Sequence, residues 1–237
     1  MVPSVPDFRT CDESVAETIR LNLSTAGLRE HDGVVAGASG HNDGFFNAAT
    51  ITVAQADPRG ALDGIREFFG DLPFTFWLRE GLDPTLADAA LLAGLSVTDG
   101  PPLMVLESIE EIPPAPEGVA IDSFVEADRR EAVTASALGN GMAPHLAETF
   151  VPPGIAEHPT AGLVLGRIDG EIVTTAQWIL TDDAVGIYAV STIPEHRGKG
   201  LGAAITWAAV AEGKRRGAHW SLLQASAMGL GVYERMG

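Results

Sequence analysis

From residue 190 to residue 203 the chain reads Val190-Ser191-Thr192-Ile193-Pro194-Glu195-His196-Arg197-Gly198-Lys199-Gly200-Leu201-Gly202-Ala203. A β-branched run ends at Ile193 and a helical pattern begins at Leu201, so three glycines fall at a strand-to-helix junction. Glycines at 198, 200 and 202 remove side chains where backbone must approach a ligand. The first turn of the helix presents N–H groups that have no intrahelical partner. Such a junction is an anion site suited to a pyrophosphate, with Arg197 and Lys199 as added positive charge. Two other phosphate loops are excluded: Lys199 is followed by Gly200 rather than Ser or Thr, and the G-x-G-x-x-G spacing of a dinucleotide fold is not met. A glycine-rich turn that merely caps a helix is the alternative, so the neighbouring elements must decide.

Upstream of the loop, strands are expected at 162–168, 171–180 and 185–192. Asp169-Gly170 is a hairpin signal between the first two, and Asp182-Asp183 supplies the second turn. Downstream, a helix over 201–216 places Leu201, Ala204, Ile205, Ala208 and Ala209 on one stripe. Lys214-Arg215-Arg216 suit its negative C-terminal end, and Gly217 stops it. Trp220–Gln224 reads as the next strand, and Ser226 caps a final helix carrying Tyr233. Further back lie a strand at 119–124 and helices at 129–138 and 143–150. The fold class is α/β (α+β): a mixed, largely antiparallel central sheet flanked by helices.

This order, with its motif, resembles the GNAT N-acetyltransferase superfamily over residues 118–237. The family motif [Q/R]-x-x-G-x-[G/A] is matched by Arg197, Gly200 and Gly202. Leu223-Gln224-Ala225-Ser226 and Val232-Tyr233-Glu234-Arg235-Met236-Gly237 follow in the family's order. The resemblance implies an acyl-CoA-dependent N-acetyltransferase that moves acetyl from acetyl-CoA to a primary amine, on a small molecule or a peptide, by direct attack. By the same resemblance, the backbone of Val190, Ser191 and Thr192 bonds the pantetheine arm. Arg197, Gly198, Lys199, Gly200, Leu201, Gly202 and Ala203 hold the pyrophosphate, and Ser226 lies near the pantetheine. Tyr233 is the general acid that protonates the leaving thiolate.

Two features depart from the family. Its members often carry a carboxylate base on the strand before the loop, and 185–192 has none; Asp182, Asp183 and Glu195 lie at its ends. A neutral amine or a water chain would serve, and a non-catalytic acyl-CoA-binding or regulatory protein is the alternative reading. The family also continues past the final helix with two strands, whereas this sequence stops at Gly237. Either the sequence is cut short there, or the edge of Trp220–Gln224 is covered by something else, the N-terminal half or a second subunit of a homo-oligomer.

The first half reads as a smaller α/β domain over residues 1–112, joined by a proline-rich linker at 113–117. Thr10 with Glu13 makes a capping box before a helix carrying Val15, Ile19 and Leu23. A strand is expected at 45–53, a helix at 59–69 and a strand at 73–78. A helix opened by Asp83-Pro84 and ended by Gly94 follows, then a strand at Leu103–Leu106. This is the order of a degenerate GNAT-like repeat, although any βα repeat would give it. Ala56-Asp57-Pro58-Arg59-Gly60-Ala61 stands at the loop position without the glycine spacing, so this copy should not bind CoA there.

Composition narrows the partners. A net charge of −17 over 237 residues argues against nucleic acid. Residues 1–115 carry six arginines against eighteen carboxylates, net −12, and residues 116–237 only −5. The basic residues thus concentrate where an anionic co-substrate is expected. One cysteine, Cys11, excludes an intrachain disulfide and fits a reducing compartment. No signal peptide opens the chain and no apolar run reaches the roughly 18 residues of a membrane span. A cytoplasmic protein without membrane contact is expected. His31, Asp32, His41 and Asp43 follow no metal-ligand spacing, so no metal is expected. Trp77, Trp178, Trp207 and Trp220 are core candidates, and Trp178 and Tyr188 could also line an acceptor pocket.

Overall fold

Asp7, not Thr10, starts the first helix. In the computed structural model, which describes residues 7–237, the Asp7 carboxylate accepts the Arg9 N–H at 3.0 Å as N-cap of α1, Phe8–Asn22. Thr10 is buried within the first turn, so the anticipated capping box does not form there. The chain then divides into two units, Asp7–Gly100 and Pro101–Gly237.

The first unit continues with β1 (Gly27–His31), β2 (Val34–Ala38), β3 (Asn47–Ile51), α2 (Pro58–Phe69), β4 (Thr75–Trp77) and α3 (Pro84–Leu92). Its sheet order is β1-β2-β3-β4, antiparallel except for β3 and β4. The β1–β2 hairpin was not anticipated, although its signal is present. Asp32 and Gly33 both take positive φ, 47° and 79°, as an Asp-Gly two-residue turn requires. Leu62, Ile65 and Phe69 of α2 bury against Val34, Ala36 and Ile51. Ala16 and Ile19 of α1 pack with Val35 and Ala48, the alternate residues of the same strands and hence the opposite face.

The second unit comprises β5 (Leu103–Leu106), β6 (Ala120–Ser123), α4 (Arg129–Asn140), α5 (Pro144–Ala147), β7 (Ala161–Ile168), β8 (Glu171–Thr181), β9 (Ala184–Thr192), α6 (Leu201–Arg215), β10 (Trp220–Gln224) and α7 (Leu230–Tyr233). The sheet order is β5-β10-β9-β8-β7-β6, and only β9 and β10 run parallel. The mixed, largely antiparallel sheet with flanking helices is the expected fold class. Asp169 and Gly170 take φ 52° and 87° at the β7–β8 turn, as their sequence requires.

The boundary between units differs from the expected one. Leu103–Leu106 belongs to the second sheet, where Leu103 faces Gln224 and Leu106 faces Ser221 in antiparallel register. The units therefore part after Gly100, and the proline run at 113–117 lies inside the second unit, between strands at opposite edges of its sheet. The outer edge of β10 is covered, as expected, by a strand from the first half of the sequence: β5 is its hydrogen-bond partner.

Both units repeat one order: three antiparallel strands, a helix, then a strand parallel to the third. The last strand expected of the first copy, Leu103–Leu106, is β5, which serves the other sheet. Among the described residues no helix is long and apolar enough to cross a membrane.

Candidate active site

β9 and β10 pair from Trp220 opposite Ala184 to Leu223 opposite Ile187, and pairing then stops while β9 runs on to Thr192. From Tyr188 onward β9 has no strand on its β10 side, so one edge of its backbone faces a gap between diverging strands. On its other side the register with β8 shifts between Thr175 and Gln177, where Ala189 takes φ 48°. This bulge changes the alternation of side chains. Val190 packs into the core that contains Ile205 and Ala209 of α6. Ser191 is buried on the other face, where a methyl group on Gly139 of α4 would come within 2.7 Å of its Cβ. The side chains of Val190 and Ser191 are thus engaged in packing, and the backbone is what they present to the gap.

The loop after β9 opens α6. Gly200 is its N-cap with φ 80° and contributes no side-chain cap. The first helical bond runs from Ala204 N–H to the Gly200 carbonyl at 3.0 Å, so the N–H groups of Leu201, Gly202 and Ala203 lie outside the helical ladder. A methyl group placed on Gly198, Gly200 or Gly202 would meet no protein atom within 4 Å. Positive φ accounts for Gly198 and Gly200. Gly202 is helical and its surroundings are open, so nothing inside the protein requires glycine there. What its absent side chain leaves is access to the positive end of α6, which fits a pyrophosphate. The Leu201 side chain is buried, so this residue offers only its N–H. Leu201, Ile205 and Ala209 anchor the helix in the core, at about 1.5–3 kcal/mol for each of the larger two.

Arg197 serves differently from the added charge expected of it. Its Nε donates to the Thr192 carbonyl at 3.1 Å and its Nη2 to the Gly139 carbonyl at 2.9 Å. It clasps the end of β9 to the end of α4, and Lys199 is likewise exposed on the loop. Should this loop hold CoA, Arg197→Ala is expected to weaken its binding about tenfold by releasing both carbonyls. Lys199→Ala should cost less than about threefold, as exposed charges interact weakly through water. Titrating CoA into both variants checks this ranking.

Tyr233 lies on α7, half-buried, with its hydroxyl hydrogen-bonded to Thr206. Thr206 in turn donates to the Gly202 carbonyl at 2.8 Å, which ties the phenol to the first turns of α6. Burial raises the pKa of the phenol above its usual value of 10, and the Thr206 contact partly offsets this. The group is a neutral proton donor throughout the physiological range. It also lines a cavity of about 160 Å³ with Met104, Leu106, Val210 and Met236. Ser226 caps the segment before α7: its Oγ accepts the Gly229 N–H at 3.2 Å. Gly229 is required by the ring itself, since a methyl group there would stand 2.7 Å from Tyr233 Cε2. Gly229→Ala should therefore displace the ring and lower kcat about tenfold with CoA affinity unchanged, as steady-state kinetics beside a CoA titration would show.

Of the other candidates, Tyr188 stands where the gap begins. Asp183 is at the opposite end of β9, where its Oδ1 accepts the Trp220 Nε1–H at 2.9 Å. Asp182 is a turn residue with φ 53°. Glu195 is exposed on the short turn Pro194–His196. Trp178 is a core residue with the Arg216 guanidinium stacked 4.3 Å from its ring. Tyr188 is half-buried opposite Gln177 on β8. In the first unit His31 pairs with Asp32 at 3.2 Å on an exposed turn, and Asp43 accepts the Phe45 N–H.

The first unit also holds the larger cavity, about 700 Å³, beside the loop that precedes α2. There the helix end is already filled. Asp57 Oδ1 accepts the Gly60 N–H at 3.0 Å, and a methyl group on Gly60 would lie 2.4 Å from Asp57 Oδ2. A carboxylate thus occupies in the first unit the place left open in the second. Chemistry, not size, singles out the smaller site.

With this geometry established, comparison with known proteins finds a family model that matches part of the chain. The model of the Acetyltransferase (GNAT) family matches residues 130–237. A solved GCN5-related N-acetyltransferase from Kribbella flavida is similar over 94% of this chain and 87% of its own, at 24% sequence identity and a TM-score of 0.66, which establishes a shared fold. A predicted acetyltransferase from Clostridium acetobutylicum, solved with acetyl-CoA, is similar over 50% of this chain and 88% of its own (20% identity, TM-score 0.43). A glucosamine-6-phosphate N-acetyltransferase from Arabidopsis thaliana is similar over 50% and 90% (18% identity, TM-score 0.42). A search of curated proteins gives no match.

Proposed function

We propose, from the match of residues 130–237 to the model of the Acetyltransferase (GNAT) family, that this chain transfers acetyl from acetyl-CoA to a primary amine by direct attack. The observation that carries this reading is the open cradle at Gly198, Gly200 and Gly202, with its free helix end, and the half-buried phenol tied through Thr206 to the first turns of the same helix. In the reaction the amine nitrogen adds to the thioester carbonyl carbon and the carbonyl oxygen takes the negative charge. Backbone N–H groups on the open edge of β9 stabilise that oxygen. Collapse re-forms the carbonyl and breaks the C–S bond, and Tyr233 gives its proton to the departing sulfur. The nitrogen loses its extra proton to water, from which Tyr233 is reprotonated. The pyrophosphate rests on the N–H groups of Leu201, Gly202 and Ala203.

A second reading, an acyl-CoA-binding protein without turnover, is favoured by one observation: β9 carries no carboxylate to serve as base. Thiol release from acetyl-CoA over a panel of small-molecule and peptide amines separates the two. Release that depends on an added amine supports transfer. Tight CoA binding with no release on any amine supports the binding protein.

A further inference from the structure

The end of β9 from Tyr188 to Thr192 has lost its neighbour β10 and contains the bulge at Ala189, so something else must hold its backbone in place. Several bonds do. Arg197 grips the Thr192 carbonyl from the surface, and Ile193 N–H donates to the Val173 carbonyl at 3.0 Å. Thr175 and Ser191 join hydroxyls at 2.9 Å. Thr174 alone among these grips the segment twice from inside the core. Its Oγ1 donates to the Ser191 carbonyl at 2.7 Å and lies 3.0 Å from Thr192 Oγ1, at 1% exposure.

Room for Thr174 is made by its partner across β7. Gly166 faces Thr174 in the register, and a methyl group on Gly166 would stand 2.4 Å from Thr174 Cγ2. The β7–β8 register shifts at this point, between Gly166 and Arg167. A glycine opposite a buried threonine, beside two bulges, gives that threonine a defined place under the strand end. An isosteric residue without the hydroxyl keeps the shape but loses the bond to the Ser191 carbonyl.

We propose that Thr174 is a positioning residue: its hydroxyl sets the backbone of Val190, Ser191 and Thr192 in the orientation that receives the pantetheine arm of acetyl-CoA. The proposal rests on the CoA-binding reading above for its functional half. Thr174→Val keeps the shape and removes the hydroxyl. It should raise the Kd for CoA and the KM for acetyl-CoA about tenfold, with kcat and the KM for the amine within about twofold. Thr174→Ser keeps the hydroxyl and should restore both constants. Should the valine variant not fold, Thr174→Ala removes the same hydroxyl without apolar bulk and carries the same expectation.

Amide hydrogen exchange without CoA tests the positioning half by itself. Peptides covering 188–193 should exchange faster in Thr174→Val than in wild type and return to the wild-type rate in Thr174→Ser. Unchanged exchange and unchanged CoA affinity in a folded Thr174→Val would overturn the proposal. Serine behaving like valine would overturn it too, since packing and not the hydroxyl would then matter. If wild type fails to bind CoA while exchange still responds as stated, the CoA reading falls and the clamp on β9 stands.

Discussion

Gly202→Asp is expected to abolish CoA binding while leaving the fold at least as stable as wild type. The backbone at 202 is helical and a side chain there meets no protein atom within 4 Å, so aspartate enters without strain. In the first turn of α6 a carboxylate interacts favourably with the helix dipole, by about 0.3–1 kcal/mol, and removing a helical glycine helps further. For the pyrophosphate the same charge is an obstacle. A unit charge about 4 Å from another, near a protein surface, costs about 4 kcal/mol, on the order of a thousandfold in affinity. The chain already contains this arrangement, since Asp57 fills the corresponding helix end in the first unit. Gly202→Ala, which adds bulk without charge, should lose less. Thermal unfolding beside a CoA titration reads both halves, and a Gly202→Asp variant that binds CoA normally would remove the loop from the account.

Tyr233→Phe is expected to lower kcat on the order of a hundredfold, with CoA affinity within about twofold of wild type. The phenol is a proton donor, not a cofactor anchor, so loss belongs in the chemical step. Stability should fall by no more than about 1 kcal/mol, for the single hydrogen bond to Thr206. The raised pKa gives a second readout. Burial disfavours the phenolate, so Tyr233 keeps its proton past the usual tyrosine value, and wild-type activity should show no loss from its ionisation below pH 10. Equal turnover by wild type and Tyr233→Phe would remove Tyr233 from the proton-donor role.

The loop and the order of elements around it were legible because their signals are local. Arg197, Gly198, Gly200 and Gly202 stand within six residues, and Asp169-Gly170 fixes its hairpin without reference to the rest of the chain. Asp32-Gly33 is an equally local hairpin signal that was read only as surface charge. Other features depend on distant partners. Leu103–Leu106 is plainly a strand, but four apolar residues do not say which sheet they join, and so the boundary moved from 113–117 to Gly100. Arg197 shows its real work only when Gly139, 58 residues away, is brought beside it. Thr174 and Gly166 look like ordinary alternation in two strands until the register places one over the other. Gly229 was legible as a helix-weakening residue, but its reason, the ring of Tyr233, is a matter of side-chain placement.

The central claim is that one cradle, at the start of α6, holds acetyl-CoA, while the matching helix end in the first unit is closed by its own carboxylate. Calorimetric titration of wild type and Gly202→Asp with acetyl-CoA tests it most directly. The account predicts one molecule bound per chain in wild type and none in Gly202→Asp; absent binding in wild type, two molecules per chain, or undiminished binding in the variant would contradict it.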